Sequence, residues 1–434
     1  MATRAVEAGF KRPATGRRGV VEARAEPEVV SPSRAQKAVL LFLVTFLIVF
    51  PKGGIKVGGV PITWGYLGMG LVSLWLPYAL LARRAAPLRT ARLVAMGMLV
   101  PFLAVSWGGI LAHGAMDTGF ALSFVTTFFV IPPVMLIVLG MHIDRIDLDL
   151  LLRAVRMAVL LVSAYGIFLF FYKLATDSFI EIPYLTVNAG DVGELEGKSI
   201  DRGGVFKLIS TYNNGNVYGI SLLMLLPLYT FLEKRLSSVL TVKASLVLTL
   251  SRTVWAGLVV YEVLSRLYVR RPTWKTVAAI AGWVSLAAVG VWYALDLLDR
   301  DLGFLFDRTL GGRIDQVRYL FEASLLPARP FDVIQEMIYL SVVDYFGLVG
   351  LLTFLVGLTG PLVLHLARFL PHWETEYKRS LAVGLIVYLF VAISDGALLY
   401  IPVMAIYWFV VSLLLSNNPS FRDFVPAGRR AGTA

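Results

Sequence analysis

Long apolar blocks with few charges recur along the chain, and hydrophilic loops of alternating charge separate them. The first blocks are Ala38–Phe50, Ile62–Ala82, Leu93–Ala112, Gly119–Gly140, Leu151–Leu174 and Tyr218–Leu232. Ser238–Leu250, Val254–Leu264, Val277–Leu295, Met337–Leu364, Leu381–Ile393 and Ile401–Leu415 follow. A helix needs roughly 20 apolar residues to cross a hydrocarbon core about 30 Å thick, and many of these blocks reach or approach that length. The pattern predicts an all-α, polytopic integral membrane protein with about twelve transmembrane helices. Residues 37–416 form its membrane domain, with no separable soluble module. Residues 1–36, with mixed charges and little apolar content, read as a disordered basic cytoplasmic arm, and 417–434 as a cytoplasmic tail.

The loop charges orient this array. Arg4, Lys11, Arg12, Arg17, Arg18, Arg24 and Arg34 precede the first block, and Arg83, Arg84, Arg89 and Arg92 separate the second from the third. Arg266, Arg270, Arg271 and Lys275, then Arg368, Lys378 and Arg379, fall on the same side of a twelve-span array. Positive loops stay cytoplasmic, so both termini are expected there. Two long loops, 175–217 and 296–336, are acidic on balance and are expected on the opposite, non-cytoplasmic side. The net charge of +11 is then a signal of topology and anionic lipid, not of nucleic acid. Hydrophobic residues make up 57% of the chain and charged residues 16%, which excludes an ordinary soluble domain.

Composition removes further chemistries. The absence of cysteine excludes disulfides, thiolate metal sites and thiol nucleophiles. His113, His142, His365 and His372 are scattered without metal-ligand spacing, and neither HExxH nor a Walker lysine motif occurs, so no metal or cofactor is expected. The first block lies behind an arginine-rich arm and lacks a small-residue cleavage site, so no removable signal peptide is expected. The halves show no internal repeat of the kind found in many secondary transporters.

Polar residues at the outer ends of the blocks are the candidates for chemistry. Asp201-Arg202-Gly203-Gly204-Val205-Phe206 precedes Thr211-Tyr212-Asn213-Asn214-Gly215-Asn216, which opens a helix. Asn213, Asn214 and Asn216 there read either as an anion cradle at a helix N-terminus or as a polar cap with flexible turns. Arg252, in Leu250-Ser251-Arg252-Thr253, sits between two short blocks on the side where arginine is otherwise scarce. Such a cation faces a cavity or a charged ligand, or snorkels to the interface. The second long loop contains Gly311-Gly312-Arg313-Ile314-Asp315-Gln316-Val317-Arg318, and the pattern from Arg313 to Leu325 predicts an amphipathic interfacial helix. Glu336, at the threshold of the next block, is partly desolvated in this reading and is either a functional carboxylate or a plain helix N-terminal acid.

These motifs, in this order, resemble the O-antigen ligase and Wzy-type polysaccharide polymerase superfamily. The resemblance runs from about Arg202 to Leu355 and includes Tyr339-Leu340 and Gly347-Leu348-Val349-Gly350-Leu351-Leu352. It implies transfer of a glycan from undecaprenyl pyrophosphate to an acceptor hydroxyl at the outer, periplasmic face of a bacterial inner membrane, without a metal. It also implies Arg252 and Arg313 on the pyrophosphate, joined by Arg202, with Asn213, Asn214, Asn216, Arg318 and Tyr339 binding substrate. Lipid A-core ligases of the superfamily carry His-Asn shortly before the Tyr-Leu pair; counting back from Gly347, those positions fall on Glu336 and Met337. A carboxylate there is similar to the polymerase branch, including exopolysaccharide polymerases of the xanthan kind, and Glu336 becomes the candidate base.

Polymerase is therefore the favoured expectation, with a chain-length regulator as a possible partner. An O-antigen ligase, a lipid-linked-oligosaccharide flippase or transporter, and a non-catalytic scaffold subunit are the alternatives. A transporter places ionisable residues near mid-span, whereas Glu262, Asp344 and Asp395 lie toward block ends.

Overall fold

The structure, a computed structural model, describes residues 31–57, 60–81, 90–193, 195, 201–202, 205–269, 278, 282, 285, 313–367 and 375–418. The protein is mostly helical. Helix α1 (Arg34–Val44) starts inside the segment read as an arm. Its capping box explains the start: Gln36 N donates to Ser33 Oγ at 3.3 Å, and Ser33 N to Gln36 Oε1 at 2.8 Å. A π-helical turn at Thr45–Val49 continues it, and an antiparallel hairpin follows, β1 (Gly54–Val57) with β2 (Val60–Thr63). Then come α2 (Trp64–Leu81), α3 (Thr90–His113), α4 (Thr118–Ile143) and α5 (Asp149–Thr176). Pro132 and Pro133 lie between two π-helical stretches of α4, where missing amides break the regular ladder.

After a small hairpin, β3 (Asp201–Arg202) with β4 (Val205–Phe206), the chain enters α6 (Gly215–Leu232), α7 (Leu236–Val247) and α8 (Arg252–Leu264). The remaining helices are α9 (Ile338–Leu366), α10 (Glu376–Val391) and α11 (Ile401–Leu414). Each predicted block coincides with helix except Val277–Leu295, nearly all of which lies outside the described residues. Among the described residues, five helices are long and apolar enough to cross a membrane: α3, α4, α5, α6 and α9. The chain is a membrane protein built from apolar helices.

Close helix approach rests on glycine, as expected where no solvent drives apolar faces together. A Cβ on Gly357 or Gly360 of α9 would meet Leu99 or Met98 of α3 at 2.8 and 2.6 Å. Gly384 of α10 lies against the Met224 carbonyl of α6, and Gly257 of α8 against Leu223 and Val391. These contacts leave α6 and α11 almost wholly enclosed at the centre. At one end, the buried Arg92 guanidinium binds Asp144 through two nitrogens at 2.6 and 3.2 Å. Ser416 Oγ and Asn417 N also donate to this carboxylate. A buried ion pair is tolerated only when so fully hydrogen-bonded, and this one ties α3, α4 and the end of α11 together.

The second long loop folds back onto α9. That helix breaks at Gly347 (φ 72°, ψ −176°). Leu348 N and Val349 N instead donate to the carbonyls of Ser324 and Leu325, at 3.0 and 3.1 Å. Irregular backbone at helix depth survives because another segment satisfies it. Phe331 anchors the returning segment, stacked on Phe346 with centroids 5.7 Å apart. Arg329 pairs with Asp344 and lies over the Tyr319 and Tyr345 rings. The predicted amphipathic helix is shorter than Arg313–Leu325: a 3-10 stretch at Arg313–Val317 and one α-turn at Arg318–Phe321. Leu320 and Phe321 face outward rather than into the protein.

Candidate functional site

The turn between α10 and α11, residues 392–400, gathers segments from four distant parts of the chain. The first is the start of α6. Asn213 takes a left-handed conformation (φ 55°) and its amide donates to the Thr186 carbonyl at 3.2 Å. Asn214 is the N-cap: its side-chain oxygen accepts from Asn216 N at 2.9 Å and Val217 N at 3.2 Å. That leaves Asn216, one residue into the helix, to donate its amide to Asp395 Oδ2 at 2.6 Å.

The second segment is the α7–α8 junction, a tight turn through Leu250 (φ 50°). Ser251 is the N-cap and Arg252 the first residue of α8, half-buried. The turn is held to the first long loop by Leu208 N donating to Leu248 O at 3.0 Å. It is held to the α10–α11 turn by Thr253 Oγ1 and Ser394 Oγ, 3.0 Å apart. Arg252 therefore belongs to the neighbourhood of Ser394 and Asp395.

The third is the entry to α9. Gly396 N donates to the Glu336 backbone oxygen at 3.2 Å, which places Glu336 beside the same turn. Its side chain is exposed, more open than the partial desolvation expected from sequence. The 3-10 stretch that carries Arg313 is pinned alongside: Met337 N donates to Gln316 Oε1 at 3.3 Å. The side chains of Arg202 and Arg313 lie outside the described residues. Arg318 is exposed and sits over the Tyr319 ring, 5.6 Å from its centroid. Tyr339 donates its phenol to the Leu389 carbonyl at 2.8 Å, so that hydroxyl ties α9 to α10.

The fourth is the segment after α1. Lys52 lies over the Tyr400 ring, 4.8 Å from the centroid. Burial pushes the Tyr400 phenol above its ordinary pKa, and the nearby Asp395 and Glu336 carboxylates push it further. A cavity of about 400 Å3 opens beside it, lined in part by Lys52, Asn188, Asp191, Asn213, Asn214 and Tyr400.

Of the predicted residues, Asn214, Asn216, Arg252 and Glu336 are thus drawn to one turn, and Asn213 lines the adjoining cavity. Sequence reasoning missed Asp395, Tyr400, Lys52, Asn188 and Asp191. Asp395 carried a usable signal, a carboxylate between two apolar blocks; the others carried none without the fold. Among the described residues, no group of three or more histidine, aspartate and glutamate side chains is arranged to hold a metal ion. The cluster offers a cation, two carboxylates and a set of amide and hydroxyl donors at one end of a helical bundle. No known family model matches the chain, and no curated protein shows significant similarity to it.

Proposed function

We propose that this chain is a membrane-embedded polysaccharide polymerase of a bacterial inner membrane. It transfers an undecaprenyl-pyrophosphate-linked glycan onto a hydroxyl of another lipid-linked repeat unit at the periplasmic face. About twelve spans, cytoplasmic termini and periplasmic loops at 175–217 and 296–336 belong to the same proposal. The observation that carries it is the meeting of three separately recognised motifs, Asn213–Asn216, Arg252 and Glu336, around residues 392–400.

In the reaction, the acceptor oxygen bonds to C1 of the donor sugar while the bond from C1 to the pyrophosphate oxygen breaks. The electron pair departs with undecaprenyl pyrophosphate, and the hydroxyl proton passes to a carboxylate. Negative charge grows on the leaving group, so fixed cations there lower the barrier. Arg252 and Arg313 take that role, since a guanidinium fork matches phosphate oxygens. Glu336 accepts the proton, and Asp395 holds Asn216 in place. A second hollow of about 430 Å3, lined by Val44, Ala158, Leu161, Ile182 and Leu185 among others, lies across the Thr186–Asn213 hydrogen bond from the polar cavity. Its apolar wall suits an isoprenoid chain.

The test is an assay of purified protein in lipid nanodiscs with lipid-linked repeat units as donor and both further repeat units and lipid A-core offered as acceptors. Release of undecaprenyl pyrophosphate with growth of a polymer ladder is the expected result. Transfer only to lipid A-core would establish the ligase instead, and neither product would end the proposal.

A further inference from the structure

We infer that residues 320–326, the tip of the second long loop, enter the bilayer, with Phe321, Leu325 and Leu326 among the lipid tails of the nearer leaflet. This partner, a lipid surface, does not depend on the chain being a polymerase.

Phe321 is 84% exposed, Leu325 66% and Leu326 57%, and Leu320 beside them is exposed as well. Four large apolar side chains so close together make a patch that a water-facing loop does not keep without a partner. Hydrocarbon receives them at little cost.

The position of the tip on α9 says what covers it. No residue from Ile338 to Gly347 is exposed. The returning loop and a neighbouring helix enclose that stretch, through Phe331 on Phe346, Arg329 on Asp344 and the Tyr339 phenol on α10. Beyond the break at Gly347 the helix turns a bare apolar face outward: Leu348, Leu352, Val356, Val363 and Leu366 are all exposed. From Leu348 to Leu366 it runs about 28 Å, close to the hydrocarbon thickness of about 30 Å. The bilayer boundary therefore falls at Gly347. Ser324 and Leu325 are bonded at that level, their carbonyls accepting from Leu348 N and Val349 N. The exposed leucines of the loop thus continue the lipid-facing stripe of the helix. On the other flank, Pro327 packs on Gly109 of α3, two residues from the exposed Trp107 and Leu111.

Backbone and charge fit the same depth. Irregular backbone near hydrocarbon needs internal partners, and four consecutive carbonyls have them. Besides those of Ser324 and Leu325, the Leu326 oxygen accepts from Ser324 Oγ at 2.6 Å, and the Pro327 oxygen lies 3.1 Å from His113 Nε2. Arg329 pairs with Asp344, about one helical turn before the break, and Arg318 lies over the Tyr319 ring. An aromatic ring and two arginines behind an apolar tip form a belt at headgroup level. Glu322, exposed beside Phe321, marks the insertion as shallow: side chains reach the tails while the backbone stays near the headgroups. Arg313 opens the 3-10 stretch before the tip and Glu336 follows it, so the anchor sets the depth of both.

The chain has no cysteine, so nitroxide labels can be placed one at a time on the full protein in phospholipid nanodiscs. Collision with oxygen, which concentrates in hydrocarbon, is compared with collision with a water-soluble nickel chelate. Labels at Phe321→Cys and Leu325→Cys are expected to match the oxygen-to-nickel ratio of Leu352→Cys, on the lipid face of α9. They should exceed the ratio of Asp177→Cys, whose native side chain is 99% exposed at the end of α5. Nickel contact at both tip sites equal to that of Asp177→Cys would put the tip in water and overturn the inference. Protection from both reagents would overturn it too, and would mean that a second copy of the chain or another protein covers the tip. Should a cysteine variant fail to fold, unsubstituted protein in vesicles of phosphatidylcholine with a diazirine in the acyl chain supplies a second reading. Light-induced adducts, mapped by peptide mass spectrometry, are expected within 320–326 as well as on α9 beyond Leu348. Adducts confined to the helices would sink the anchor.

Discussion

Asn216, near the start of α6, donates its side-chain amide at 2.6 Å to the buried carboxylate of Asp395, which follows α10. The bond joins a helix N-terminus to the turn that also touches Glu336 and the Arg252 helix. A hydrogen bond to a charged group contributes about 1.5–3 kcal/mol, enough to hold both segments in register.

Asp395→Asn is therefore expected to abolish polymer formation, and Asp395→Ala also to lower membrane abundance. The exchange Asn216→Asp with Asp395→Asn restores an amide–carboxylate bond, and a carboxylate at a helix N-terminus is tolerated there. If Asp395 serves to hold Asn216, the exchanged protein regains polymer formation; an exchanged protein that is abundant but inactive would mean that the carboxylate is needed at position 395 itself.

Arg252→Ala and Arg313→Ala should each remove activity at near-normal abundance, and Arg→Lys should recover little of it. A lysine supplies a point charge but not the planar fork that engages two phosphate oxygens. High-molecular-weight polysaccharide from both alanine variants would make the arginines structural.

How much of this was readable from the chain depends on whether a feature is local. Block ends matched helix ends closely, as for Val254–Leu264 against Arg252–Leu264, because apolar length and flanking charge are local signals. The N-cap role of Asn214 was also local, and it was one of the two readings available. Lys52 was not legible as a site residue, since its partner Tyr400 lies far away in sequence, and Asp395, though visible as a carboxylate between two apolar blocks, could not be joined to its distant partner Asn216. The break at Gly347 was hidden for the same reason: the residues that satisfy it belong to the loop before α9.

Topology has its own test. Reporter fusions at Glu194 and Arg318 should behave as exported and a fusion at Arg271 as cytoplasmic, following the bias of arginine and lysine among the loops. An exported signal at Arg271 would invert the arrangement and remove the outer-face placement of Arg252.

Gly347→Ala should destabilise the protein by about 1–3 kcal/mol from the positive φ alone. A Cβ there would also meet the Leu325 carbonyl oxygen at 2.7 Å, so the docked loop must shift as well. Gly97→Ala, in α3 with nothing within 4 Å of the new Cβ, is the control and should be neutral or mildly stabilising. Thermal unfolding of both variants in detergent measures the difference. Equal midpoints would mean that the break at Gly347 is not what seats the loop.

Glu336 separates proton transfer from mere positioning. Its backbone oxygen already binds Gly396 N, so that contact survives any side-chain change. Glu336→Gln keeps the shape and hydrogen-bonding reach but loses the capacity to take a proton. If Glu336 is the base, polymerisation at equal protein should fall by roughly two to four orders of magnitude, the usual contribution of general base catalysis. Binding of the lipid-linked donor should change little, since its pyrophosphate meets the arginines. Asp395 is the competing carboxylate, and the pair of variants discriminates. Glutamine at 336 with near-wild-type polymer, together with a dead Asp395→Asn, would transfer the proton-accepting role to Asp395. A collapse of turnover at 336 with donor binding intact, in a protein whose Asn216–Asp395 exchange is folded, assigns the base to Glu336.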